Sequence, residues 1–338
     1  MKILCFLPNY IGDILMTTPA IRVLKKYTDA YIYVVLKERL EELIEDNPNI
    51  TGIIKKNKNN RIKTIKEVLS LKPNYVILFR TTFFNSLVAF LSSANVSVGI
   101  NQELSWFFLN KTIKKDLLRP YRFECLFLVK QLLSFLNINI DIDTSELKKL
   151  DFFGWGNSQI KLSLEQKLSK ANVDMKKKFI VVSPLASRIT KVLTSKQYIQ
   201  LFNLLYEKYS KEYEIILVSN CKNKLIEEIL TNTGKKIKFL LGETNLKEVG
   251  YLFSISSLVI SPDSGPAYIS ESVGTKTFIY FTSTLPEKYG PYSENVKYIY
   301  FPTLCSPCYK DICPNKSYSC INNLNIKEMF NIIEKILI

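Results

Sequence analysis

The chain has 338 residues, more than one hydrophobic core usually organises, and 47 % of them are hydrophobic, so two domains with separate cores are expected. Lys and Arg number 46 against 31 Asp and Glu, a net charge of +15, and histidine is absent. The charge favours anionic partners, and the missing histidine excludes the commonest general base, leaving carboxylate, Lys, Tyr or Cys for that work.

Part of the excess charge is compositional, because the lysines are scattered and only KKNKNNRIK (55–63) forms a local cluster. The opening MKILCFLPNY has one lysine and a short apolar run broken by Pro8 and Asn9, which does not read as a secretory signal. KILCFL predicts a strand. PNYIGDILMTTPAIRVL (8–24) then spends one of only 11 glycines directly before an acid, at a strand-to-helix junction. There Gly12 permits a sharp turn and leaves room for a ligand, and Asp13 faces the strand end. Two other readings stay open: Asp13 is a helix N-cap, or Thr18-Pro19 starts the helix and Asp13 lies on a non-helical approach loop.

YIYVVL predicts the next strand, ERLEELIED a helical segment, and YVILF a further strand. The longest uncharged stretch, Thr81 to Gln102, could span a bilayer by length. Its Asn85, Ser86, Ser92, Ser93, Asn95 and Ser97 are too polar for that, and its texture changes midway from helical FFNSLVAFLSS to strand-like VSVGI. The chain therefore reads as a soluble cytoplasmic protein that at most touches a membrane surface.

A long helix, RFECLFLVKQLLSFL (122–136), leads into a stretch of weak periodicity that holds Gly154 and Gly156 and ends in the charged segment LEQKLSKANVDMKKK. A second alternation follows: FIVVSP, YIQLFNLLYEKY, EIILVSN, NKLIEEILTN, KFLLG, LKEVGYLFSIS, SLVISPDSGPA and TKTFIYF. Short apolar runs alternating with helical segments imply βαβ units and parallel sheets. The fold class is α/β, with two Rossmann-like domains at 1–160 and 175–325. A C-terminal helix at 326–338 is expected to pack back on the N-terminal domain. Such sheets bind ligands beyond the carboxyl ends of their strands, which predicts an active site in a central cleft between the domains.

Three further stretches carry chemistry. SPLASRITK (183–191) follows a predicted strand and offers Ser183, Ser187, Arg188 and Lys191, a set suited to a diphosphate; a solvated basic loop is the alternative. SPDSGPA (261–267) also ends a strand and precedes a helix, where backbone N–H groups and the helix dipole can hold a phosphate, unless it is only a Pro/Gly turn. Cys305, Cys308, Cys313 and Cys320 are spaced C-x2-C-x4-C-x6-C. Four thiols so close in a cytosolic chain suggest a structural Zn or Fe site with no open position for catalysis, or else reduced packing residues in a Pro-rich loop.

IGD with TPAIRVLKK, then SPLASRITK, then SPDSGPAYISESVGTKTFIYF running on to EKYGPYS, together resemble the ADP-heptose:lipopolysaccharide heptosyltransferase family, glycosyltransferase family 9. The resemblance runs in order from Ile3 to Cys320. It implies the GT-B fold and an inverting transfer of heptose from ADP-heptose to a hydroxyl of the lipopolysaccharide inner core. The acceptor is then bound by the N-terminal domain, on the side of Gly12, and the donor by the C-terminal one. Carried over by position, Asp13 matches the general base and Lys191 the diphosphate-binding lysine, accompanied by Ser187 and Arg188. Asp263, Ser264, Gly265, Pro266 and Tyr268 match the donor loop. No cofactor is implied for catalysis. The implied acceptor is an anionic glycolipid, Kdo-lipid A or a heptosylated core, met at the cytoplasmic face of the inner membrane by transient surface contact. Cysteine-rich loops occur in the family too, including one resembling an iron-binding finger in its protein-heptosylating branch.

The chain departs from the family pattern in three places: Tyr268 stands where His is common after the donor-loop glycine, Leu193 replaces an aromatic, and SNCKNK lacks a clear acid for the ribose. A protein or another glycan as acceptor fits the same fold. A nucleotide-binding oxidoreductase is disfavoured because the first junction lacks G-x-G-x-x-G. Nucleic-acid binding rests on charge alone, without a recognition motif, so no nucleic acid is expected as a partner.

Overall fold

The computed structural model describes residues 1–338 apart from Lys58, Leu117 and Ile338, so one residue of the basic run 55–63 and the last of the terminal segment lie outside the described residues. The chain divides into two compact units, Met1–Phe153 and Gly154–Ile338.

Among the described residues, the first unit holds β1 (Lys2–Phe6), β2 (Tyr31–Lys37), β3 (Gly52–Lys56), β4 (Tyr75–Leu78), β5 (Val96–Ile100) and β6 (Lys111–Ile113). All pair in parallel, in the order β3-β2-β1-β4-β5-β6. The helices are α1 (Ile11–Tyr27), α2 (Arg61–Leu71), α3 (Phe83–Leu91), α4 (Ser105–Phe108) and α5 (Tyr121–Phe135). Strands covered on both faces must be apolar throughout, and Ile3, Leu4, Cys5, Val76, Ile77 and Leu78 are fully buried. ERLEELIED forms only a single 3₁₀ turn at Glu41–Leu43. The Asn47-Pro48 pair that follows biases the backbone out of the helical region and leaves too few residues for a helix.

α1 begins at Ile11, so Asp13 lies in its first turn; the N-cap is Tyr10, with no side-chain cap. This corrects both the N-cap reading and the loop reading of Asp13. Pro19 sits inside the helix rather than at its start. A proline there withholds the N–H owed to the Leu15 carbonyl; the Thr18 hydroxyl donates to that carbonyl instead, at 2.7 Å. The same hydroxyl accepts the N–H of Asp151 at 2.8 Å, and Arg22 pairs with Asp151 and Glu146, which fastens α1 to the segment closing the unit.

Among the described residues, the second unit holds β7 (Lys178–Val182), β8 (Tyr213–Ser219), β9 (Lys238–Leu241), β10 (Leu258–Pro262), β11 (Thr277–Phe281) and β12 (Val296–Tyr300), all parallel, in the order β12-β11-β10-β7-β8-β9. Counted from its own first strand this is the same order as in the first unit. The helices are α6 (Ser158–Lys170), α7 (Ser195–Tyr209), α8 (Lys224–Thr233), α9 (Leu246–Ser254), α10 (Gly265–Ser272), α11 (Pro286–Tyr289), α12 (Ser319–Asn322) and α13 (Ile326–Leu337). α13 buries Ile326, Met329, Phe330, Ile333 and Ile336 in the core of this second unit, against α7. Its apolar face is thus part of the core of the unit in which it lies. No described helix is long and apolar enough to cross a membrane.

Candidate active site

In a doubly wound sheet the strand order reverses at one point, and the loops leaving the two strands there splay apart to make room for a ligand. In the second unit that point lies between β7 and β10, which are neighbours. The loops leaving them are SPLASRITK and SPDSGPA. Two stretches 70 residues apart, each ambiguous alone, thus meet because of topology.

Their meeting is an ion pair. The Lys191 ammonium lies 2.6 Å from Asp263 Oδ2 and donates to the Asp263 carbonyl at 2.9 Å. Thr284, just past β11, donates to Oδ2 at 2.6 Å, and the Tyr268 hydroxyl donates to Oδ1 at 2.5 Å while lying 2.9 Å from the Tyr289 carbonyl. Burial pushes the Asp263 carboxyl up, but the Lys191 charge and these hydrogen bonds outweigh it and hold the group below its usual range. Asp263 and Tyr268 are only 3 % and 2 % exposed. They brace the loop from beneath.

Above them, Ser264, Gly265 and Pro266 are half-buried and start α10; Ser264 is the N-cap, and its hydroxyl bonds to that of Ser261 rather than to the helix. The first-turn N–H groups of a helix have no intrahelical acceptors, and the dipole adds positive potential there. Ser187 is exposed in the other loop. Arg188 donates to the Tyr309 carbonyl at 2.9 Å and pairs with Asp311 at 3.2 Å. With Thr190 bonded to the Lys310 carbonyl, this ties the cysteine-rich segment to the β7 loop.

Within that segment Cys305 is exposed, Cys308 half-buried, and Cys313 and Cys320 buried. The thiol of Cys313 accepts the N–H of Tyr318, which leads the causes that lower its pKa. Burial raises that of Cys320, and the other three thiols add to the rise. Among the described residues, however, no three Cys, Asp or Glu side chains are placed to hold a metal ion. Tetrahedral zinc needs every sulfur at about 2.3 Å from one centre, so a structural metal at the four cysteines is not supported. Leu193, in place of an aromatic, is also buried in the core.

In the first unit the strand order reverses between β1 and β4. β1 leads to Gly12, which is buried, and to Asp13, which is half-buried in the first turn of α1. β4 leads to Arg80, whose N–H bonds to the carbonyl of Phe6 at the end of β1. Tyr121 of α5 is a neighbour of Asp13: burial, the Cys125 thiol and the Asp13 carboxylate push its hydroxyl well above the usual range, so it stays protonated.

The sequence reading missed a cationic cluster on the same carboxyl edge. Lys56 ends β3, and Arg61 begins α2; both lie over the Phe84 ring, at 5.1 and 5.4 Å from its centroid. Burial, Arg80 and Arg61 lower the Lys56 ammonium to about 8. A signal was present, since Lys56 and Arg61 belong to the basic run 55–63, but only the fold adds Arg80.

Residues 61–319 match the family model of glycosyltransferase family 9 (heptosyltransferase). A lipooligosaccharide heptosyltransferase 2 of Campylobacter jejuni is 26 % identical over 343 aligned positions, covering 99 % of each chain. The glycosyltransferase family 9 structure from Veillonella parvula superposes with a TM-score of 0.78 at 19 % identity, over 99 % of this chain and 97 % of the other. E. coli ADP-heptose LPS heptosyltransferase II gives a TM-score of 0.73 at 18 % identity, over 97 % and 99 %. These two structures share the fold, GT-B, with this chain.

Proposed function

The chain belongs to glycosyltransferase family 9, and from that premise we propose that it moves a heptose from ADP-heptose to a hydroxyl of a lipopolysaccharide inner core. The carrying observation is the Lys191–Asp263 pair beneath the α10 start, at the strand-order reversal of the second unit. An ammonium and a helix N-terminus side by side favour a diphosphate, and more so as negative charge grows on it when the sugar leaves. Named relatives act on lipooligosaccharide and use ADP-heptose, which supports both substrates.

In the proposed reaction Asp13 accepts the proton of the acceptor hydroxyl as its oxygen attacks C1 of the heptose from the face opposite the diphosphate. C1–O bond formation accompanies cleavage of the bond to ADP, which departs with both electrons. Lys191 and the N–H groups at the start of α10 stabilise that departing charge. Asp263, Thr284 and Tyr268 act as positioning residues that aim Lys191. Gly12 leaves the approach to Asp13 open, and Lys56, Arg61 and Arg80 hold the anionic groups of the acceptor. The displacement requires a base and cationic support rather than a redox or carrier group. An acceptor of this kind places the enzyme at the cytoplasmic face of the inner membrane.

The test is incubation with ADP-heptose and a panel of Kdo-terminated and heptosylated cores. A heptose mass increment with stoichiometric ADP release supports the reading; no transfer from any ADP-sugar overturns it.

A further inference from the structure

Five aromatic rings of the first unit form one connected outer patch. The Phe108 ring stands edge-on to those of Phe83, Phe90 and Phe107, with centroids 5.5, 5.9 and 5.3 Å away, and Phe107 stands edge-on to Trp106 at 6.1 Å. Trp106 is 61 % exposed, Phe107 68 % and Phe90 57 %, with Leu91 and Leu104 exposed beside them. A contiguous apolar surface of this kind marks an interaction site, unlike scattered single exposed side chains.

The backbone holds it outward. α4 is a single turn whose only buried residue, Ser105, donates to the Ile100 carbonyl at 2.9 Å and accepts the Gln102 N–H at 3.0 Å. The turn before it places Glu103 and Leu104 at φ of 50° and 59°, a left-handed conformation unfavourable for a branched side chain such as leucine. Strain of this sort persists only where the surrounding structure enforces it.

Cations flank the rings on both sides. On α3, next to Phe83, the Phe84 ring carries Lys56 and Arg61. After α4 come the exposed Lys111, Lys114 and Lys115. One acid lies within the patch, Glu103, whose carboxylate accepts the N–H of Phe83 at 2.8 Å. Aromatic rings with leucines at the centre and lysines at the edges match a headgroup layer, where rings sit at the boundary and ammonium groups meet anionic lipid. A second copy on the same patch would instead set like-charged flanks against each other.

We propose that this face docks on an anionic lipid bilayer, with Trp106, Phe107 and Phe90 entering the headgroup region and the exposed Lys111, Lys114 and Lys115 holding lipid phosphates. The proposal deepens the membrane-face placement above and rests on it for which membrane is met; lipid binding itself needs neither donor, acceptor nor turnover, so the two readings fail separately.

Flotation of the purified chain with vesicles of phosphatidylcholine, and of phosphatidylcholine with one quarter phosphatidylglycerol, tests it. Binding to the mixed vesicles is expected to exceed that to the neutral ones by at least about tenfold at low salt. The double variant Trp106→Ser with Phe107→Ser is expected to lose at least about tenfold of that affinity. In a Trp155→Phe background, emission from Trp106 shifts to the blue on binding. Both replaced side chains are exposed, so the thermal midpoint should hold; if it falls, Phe90→Ser with Leu91→Ser reads the same patch from α3. Absence of binding to the mixed vesicles, undiminished binding by the folded variants, or a solution dimer that they dissolve would overturn the proposal.

Discussion

The Lys191 ammonium and the Asp263 carboxylate stand 2.6 Å apart, although 72 residues separate them in sequence. Asp263 is buried with two hydroxyl donors around it, so the pair fixes the lysine at the strand ends before any ligand arrives. Removing one partner of such a pair leaves a buried charge uncompensated, at a cost of roughly 3 kcal/mol. Asp263→Asn is expected to lower stability by about that amount in urea denaturation and to weaken ADP binding by calorimetry. Lys191→Met should weaken ADP binding more, because it removes the charge proposed to meet the diphosphate. The carboxyl pKa is depressed in the folded chain, so its stabilising contribution is complete above the ordinary carboxylate pKa and is lost as pH falls through the folded value. Asp263→Asn should therefore flatten the acid limb of the stability profile.

Tyr268→Phe probes the layer beneath that pair. It deletes one hydrogen bond to Asp263 and keeps the ring in its buried place. The expected loss is about 1–2 kcal/mol, since a bond to a charged acceptor is worth more than a neutral one. If Tyr268 works only through Asp263, ADP affinity falls in Tyr268→Phe, and the double variant Tyr268→Phe, Asp263→Asn falls no further than Asp263→Asn alone. A full additive loss of ADP affinity would mean that the tyrosine meets the donor itself.

Much of this was legible in the chain. The alternating runs gave both parallel sheets because a strand covered on two faces has no polar alternation to confuse it, and SPLASRITK and SPDSGPA each announced a strand end. Their pairing was not legible: no local pattern says that β7 and β10 are neighbours. Arg188 shows the limit of composition, since no local pattern announces that its guanidinium donates to the Tyr309 carbonyl and pairs with Asp311. The cysteine spacing is limited in a related way. Ligand spacing is necessary for a metal site, whereas convergence depends on how the loop is tied down, here by Arg188 and Thr190.

Asp13→Asn separates chemistry from fold. Asp13 occupies the first turn of α1, where a carboxylate also favours the helix dipole by roughly 0.3–1 kcal/mol. That contribution is small beside the effect on proton transfer, about two to four orders of magnitude in rate. The variant is expected to keep its thermal midpoint within a few degrees and its ADP affinity within error, and to lose turnover. A variant that loses stability in proportion to activity would make Asp13 a helix-start residue and leave the base to be found elsewhere.

Lys56 gives a stability dependence of the same sign as that of Asp263, because both groups are lowered in the folded chain, but in the alkaline range. Its ammonium is lowered from 10.5 to about 8 by burial and by the neighbouring Arg80 and Arg61. The folded chain therefore carries this unfavourable charge in full below about pH 8, and the penalty fades as pH rises toward the unfolded value. Stability contributed at this site grows with pH across that window. Anion binding runs the other way. A phosphate or carboxylate on the acceptor favours the charged lysine, so above pH 8 each binding event must take up a proton, and acceptor affinity falls by up to about tenfold per pH unit. The acceptor KM measured from pH 7 to 10 should thus rise on the alkaline side in the unaltered chain. Lys56→Met should show a higher KM at pH 7 and a flatter profile, whereas Lys56→Arg, which stays charged, should keep the low KM across the range. An unaltered profile in Lys56→Met would remove Lys56 from the acceptor side.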